Sequence, residues 1–166
     1  MHAMATHNPA TTQQWRMQFA STARCVSLVR TQVRKALQER GYARSDIDDA
    51  VLVASELATN AVVHGHFPGH LFEVGLAPSD DTCLIEVSDS SPRPPRALAA
   101  SADNESGRGL QLVNALALRV GQHPRKPVGK TVWATMRMAH GREPKNSPTH
   151  WQVTAACTGT ADGRVL

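Results

Sequence analysis

The sequence predicts an α+β fold in two layers, and three observations carry the prediction. Two long stretches repeat apolar residues at helical spacing, and several short ones alternate apolar with polar side chains. The two kinds follow one another without a βαβ repeat, which favours two layers over a doubly wound sheet. At 166 residues the chain suits one domain, large enough to bury a core without staples.

Residues 1–11 read as a flexible leader, residues 12–139 as the domain, and residues 140–166 as a flexible tail rich in Gly, Pro, Ser, Asn and Thr. Trp15, Met17 and Phe19 alternate with polar residues, as in a short strand. Across 22–40, Val26, Val29, Val33 and Leu37 recur at helical spacing, and Gly41 ends the run. A second helix is expected from about Ile47 to His64, opened by a capping box of Ser45 and Asp48 and stopped by Gly65. Its apolar positions are Ile47, Val51, Ala54, Leu57, Ala58, Ala61 and Val62. His66-Phe67-Pro68-Gly69 is a turn. Leu71–Ala77 and Cys83–Asp89 form a hairpin around Pro78-Ser79-Asp80-Asp81. Residues 92–102 are a long irregular connection of the kind that serves as a lid or binding loop. A third helix runs from around Gly107–Leu110 to about Leu118; one strand follows through Val120 and another covers Lys130–Met138.

Three scattered cysteines, Cys25, Cys83 and Cys157, argue against a disulfide framework or a zinc ribbon and for a reducing cytoplasm. No apolar run nears the ~20 residues of a membrane span, and the first fourteen residues lack the apolar core of a signal peptide. The expected location is cytoplasmic. A net charge of +4 raises the question of nucleic acid. The basic residues are dispersed, however, and three Trp, three Phe and one Tyr are few for base stacking, so direct nucleic-acid binding is not expected.

The residues that carry chemistry cluster around the second helix. Glu56 and Asn60 are four apart and share a helical face. A carboxylate and a carboxamide on an otherwise apolar helix suit a magnesium nucleotide, the amide oxygen as metal ligand and the carboxylate as base or water-orienting group; an ordinary solvated stripe is the alternative. Asp89 shares strand parity with Cys83, Ile85 and Val87, which places its carboxylate at the edge of the core. There it either accepts from an exocyclic amine such as adenine's or caps the Ser90-Ser91-Pro92 turn. Gly107-Arg108-Gly109-Leu110 opens a helix, where exposed amides favour phosphate. Gly129-Lys130-Thr131 precedes the last strand but is no Walker A, since the upstream glycine and following helix are missing. His64, His66 and His70 lack the paired spacing of zinc ligands and read as solvated or capping residues. No Ser-His-Asp or Gly-x-Ser-x-Gly pattern supports acyl transfer.

In their order, Leu52–Ala61, Glu86-Val87-Ser88-Asp89, Gly107–Val113 and Gly129–Trp133 resemble the motifs of the Bergerat-type, histidine-kinase-like ATPases. Within that superfamily the chain is similar to the stand-alone anti-sigma-factor serine kinases and their bacterial regulatory relatives. The resemblance covers Trp15 to Met138. It implies a mixed, largely antiparallel sheet with helices on one face and ATP held between helices and lid. It implies that Glu56 is the base or water-orienting group, that Asn60 ligates Mg²⁺, that Asp89 reads the adenine amino group, and that Gly107, Arg108 and Gly109, with Leu110, approach the phosphates. Lys130 and Thr131 would line the nucleotide, Thr131 supporting adenine recognition.

The resemblance also implies a sigma factor or its antagonist as partner, with the γ-phosphate passed to a Ser or Thr of the antagonist. One departure matters: the usual Asp-x-Gly-x-Gly becomes Asp89-Ser90-Ser91-Pro92-Arg93, without either glycine, which leaves a non-catalytic sequestration module as the alternative. There is no dimerisation helix with a phospho-accepting His. If Thr131 and Trp133 face nucleotide and core, Val132, Ala134, Met136 and Met138 form an apolar reverse face that calls for a second subunit or a partner.

Overall fold

The computed structural model of the chain describes residues 14–65, 69–91 and 105–141. The expected leader, nearly all of the tail, the 92–102 connection and most of the 66–69 turn lie outside the described residues. The elements run β1 (Trp15–Ala20), α1 (Ala23–Gln38), α2 (Arg44–His64), β2 (Leu71–Pro78), β3 (Thr82–Asp89), α3 (Glu105–Leu116), β4 (Arg119–Pro124) and β5 (Lys130–Arg137). The strands form one sheet in the order β1-β2-β3-β5-β4. The expected, largely antiparallel sheet is antiparallel at every described pairing.

Sequence periodicity accounts for the layering. Val26, Val29, Val33 and Leu37 are all buried, giving α1 one apolar stripe. Gly41, at φ 73°, takes the left-handed turn that ends the helix. α2 is buried along Ile47, Val51, Ala54, Leu57, Ala58 and Ala61, and packs over β2, β3 and β5. Strand alternation supplies the other side of the core: Phe19, Phe72, Val74, Leu76, Cys83, Ile85, Val87, Ala134 and Met136. Phe19 and Phe72 are register partners whose rings stack at 5.4 Å. Such a cross-strand aromatic pair contributes roughly 0.2–1 kcal/mol. Among the described residues, no helix is long and apolar enough to cross a membrane.

Two expectations are corrected. α2 opens at Arg44 after Ala43, without a side-chain cap, so Ser45 lies inside the first turn. Asp48 is drawn instead into an ion pair with Arg34 of α1, and Asp46 accepts from the Ala139 amide at 2.7 Å. The second correction concerns β5. Ala134, Met136 and Met138 are core residues, while Trp133 lies with Arg16 and Glu86 on the helix-free face. That face carries ion pairs of Arg16 with Glu73 and Glu86 at 3.3 and 2.8 Å. Arg125 also reaches Glu73, at 3.7 Å. The apolar set that called for a second subunit is thus already covered by the helices.

Cys83 is fully buried, and burial pushes its thiol up to about 12. Tyr42 is also raised, again chiefly by burial. A raised acid contributes stability that is complete below its unfolded value and is lost as pH climbs toward the folded one. For Cys83 that window runs from 9.0 to about 12. At pH 8 we expect a thiol reagent to modify the half-buried Cys25 and to reach Cys83 only on unfolding, as read by peptide mass mapping. Equal modification of both in the native protein would contradict this packing.

Candidate nucleotide site

One face of α2 organises the site. Glu56 and Asn60 sit one turn apart and both are half-buried. Among the described residues, no hydrogen bond or ion pair engages either side chain. α3 packs on α2 so that Gly109 abuts Glu56: a Cβ there would overlap Glu56 Oε2 and lie 3.4 Å from its Cδ. The helix begins at Glu105, so Gly107, Arg108 and Gly109 belong to its first turns rather than preceding it. Arg108 is exposed, whereas Leu110 is half-buried and packs against the core.

At the other end of α2, Gly65 abuts Asp89. An added Cβ would lie 2.5 Å from Asp89 Cγ, so only a residue without a side chain lets the helix end approach this carboxylate. Asp89 is 4% exposed and points into the helix-covered face, as strand parity predicts. Its Oδ1 accepts the Ser91 amide at 3.0 Å, so the turn-capping role is realised. Its Oδ2 pairs with Lys130 Nζ at 2.8 Å, the two residues being register partners of β3 and β5. Glu56 and Gly65 are nine positions apart, about 14 Å along a helix.

The structure sets Gly109 against Glu56, with Asn60 one turn further along α2, and at the end of that helix sets Gly65 against Asp89 and its partner Lys130. It does not bring Thr131 there. Thr131 is register partner to Ser88, one residue out of phase with Asp89, and the two hydroxyls are 2.8 Å apart on the other face of the sheet. Period-2 alternation gives the helix-covered side, where Asp89 lies, to Lys130. The Asp89–Lys130 contact and the Gly65 approach were not read from the sequence, because each depends on segments that meet only through the sheet.

His64 and His70 are exposed, and His66 lies outside the described residues. Among the described residues, no cluster of three or more His, Cys, Asp or Glu side chains offers a metal cage. The donor set would suit Mg²⁺ instead, since Asn60 carries a hard amide oxygen one turn from the Glu56 carboxylate. Two basic side chains of α1 join the helices, Arg30 donating to Ser55 Oγ at 3.2 Å and Arg34 pairing with Asp48.

The Gly109 contact yields a prediction. Glu56 Oε2 is the free end of a flexible side chain, so Gly109→Ala should displace it rather than unfold the protein. The expected result is a melting temperature within about 3 °C of wild type, with ATP turnover or transfer reduced about tenfold or more. Unchanged turnover would mean that the contact does not position Glu56.

A family model described as "Histidine kinase-like ATPase domain" matches residues 19–136. No curated protein matches the chain. Among solved structures, the crystal structure of the RsbU and RsbW domains of Rv1364c from Mycobacterium tuberculosis matches with a TM-score of 0.56 and 27% sequence identity. That match covers 76% of this chain and 33% of the other, so the chain spans about one third of that longer protein.

Proposed function

The chain belongs to the histidine-kinase-like ATPase family, and from that premise we propose that it is an ATP-binding anti-sigma-type regulator. It grips a sigma factor or the sigma factor's antagonist and transfers the γ-phosphate of ATP to a Ser or Thr of the antagonist. The observation that supports this reading is the pair of close approaches along α2, Gly109 against Glu56 and Gly65 against Asp89. The similarity to a structure containing an RsbW domain supports the anti-sigma class.

Mg²⁺, when bound through Asn60, supplies charge neutralisation for the phosphates. Glu56 accepts the proton of the attacking hydroxyl at its carboxylate, and Asn60 fixes the phosphate end relative to that carboxylate. The backbone at Gly107–Gly109 lets α3 close on the phosphates with its amides forward. Asp89 orients the base. Such catalysis depends mainly on positioning and charge, which the rigid α2 face provides.

One observation favours the non-catalytic alternative: both carboxylate oxygens of Asp89 already have protein partners, Ser91 and Lys130. Affinity capture with the tagged full chain, with and without Mg-ATP, separates the readings when followed by incubation with γ-labelled ATP. Nucleotide-dependent recovery of a sigma factor or antagonist, with label on a Ser or Thr, supports the kinase. Recovery without label supports sequestration alone. Recovery of neither contradicts both.

A further inference from the structure

Resting on the nucleotide-binding reading, we propose that Lys130 determines base specificity: together with Asp89 it makes the site accept 6-oxopurine nucleotides such as GTP and ITP as well as ATP. The pair is built into the sheet. Asp89 and Lys130 are register partners, their heads are 2.8 Å apart, and their side chains are 5% and 13% exposed. Gly65 presses on the Asp89 carboxylate from α2, and Ser91 holds its other oxygen. The carboxylate therefore cannot swing away from whatever base edge it faces.

An ionised carboxylate only accepts hydrogen bonds, whereas an ammonium only donates, with three N–H groups. Asp89 alone would welcome adenine's N6 amino group and repel the O6 carbonyl of guanine or hypoxanthine. Sites built on one such polar contact reject the mismatched analogue by orders of magnitude. Lys130 changes that arithmetic. Among the described residues its Nζ has Asp89 as partner, which leaves two N–H donors for a ligand. Adenine offers N6–H to Asp89 and N1 to Lys130. A 6-oxopurine offers N1–H to Asp89 and O6 to Lys130. Each edge sets a donor beside an acceptor, and the flexible four-carbon stem of lysine lets the ammonium sit on either side of the fixed carboxylate.

The test is equilibrium binding of Mg-ATP, Mg-GTP and Mg-ITP to the full chain as wild type, Lys130→Thr and Lys130→Arg, with thermal unfolding as a control for folding. In the wild type, GTP and ITP should bind within about tenfold of ATP. Lys130→Thr should weaken GTP and ITP on the order of 100-fold and ATP, which keeps its N6 contact to Asp89 and loses only the N1 contact, about tenfold; Lys130→Arg should keep all three. Wild-type protein that binds ATP but excludes GTP and ITP by more than about 100-fold overturns the inference and leaves the ATP-binding reading intact, whatever the variants do. Equal weakening of all nucleotides by Lys130→Thr also overturns it, as would tighter ATP binding, which would make Lys130 a competitor for Asp89. Failure of every nucleotide to bind defeats the ATP-binding reading and the inference together.

Discussion

Glu56→Gln should lower phosphoryl transfer about 10²- to 10⁴-fold while leaving Mg-ATP affinity within about threefold of wild type. The carboxylate is half-buried on α2 with Gly109 against its Oε2, the end that the proposed reading gives to the phosphates. Glutamine preserves that shape and keeps an acceptor oxygen but cannot take up a proton. Loss of transfer with retained binding therefore isolates the proton-accepting step from positioning. Single-turnover transfer of labelled phosphate, set beside calorimetric ATP binding, separates the two quantities. Transfer at the wild-type rate would remove Glu56 from the chemistry. Loss of binding and transfer together would make it a structural or metal-holding residue.

Gly65→Ala should damage the opposite end of the site. The backbone there is at φ −100°, open to any residue, so the cost comes from contact rather than from dihedral strain. An alanine Cβ would meet Asp89 Cγ at 2.5 Å and the Ala61 carbonyl at 2.8 Å. Asp89 has no room to yield, being tied to Lys130 at 2.8 Å and to the Ser91 amide at 3.0 Å. Overpacking of this kind costs about 1–3 kcal/mol, and any relief must break a buried ion pair. Denaturant unfolding should show that loss, and ATP affinity should fall at least about tenfold as the carboxylate is displaced. A variant as stable as wild type, with undiminished affinity, would show that α2 and β3 are not in this contact.

These two residues show how far the sequence can be read. Gly65 is legible as the end of a helix, yet its close approach to Asp89 is not, because that depends on β3 passing beneath α2. The Val26, Val29, Val33 and Leu37 stripe is legible because burial on a helix follows local spacing. Asp89 is legible too: Cys83, Ile85 and Val87 are uniformly apolar, and parity alone gives the carboxylate its side. β5 resists the same treatment. Val132, Trp133, Ala134 and Met136 put apolar side chains on both parities, so alternation cannot choose the core face. Pairing with β3 makes the choice and sends Lys130 rather than Thr131 to the helix-covered side. Ser45 and Asp48 have the spacing of a capping box, but α2 begins one residue before Ser45 and Asp48 pairs with Arg34 across the helices.

The central claim is that the α2 face binds ATP through Mg²⁺. Calorimetry of ATP with the full chain, with and without Mg²⁺, for wild type and Asn60→Ala, tests it most directly. The account predicts saturable, magnesium-dependent binding by wild type, weakened on the order of 100-fold in Asn60→Ala, which retains a wild-type melting temperature. Absence of wild-type binding at millimolar ATP, or equal binding by both proteins regardless of Mg²⁺, would contradict it.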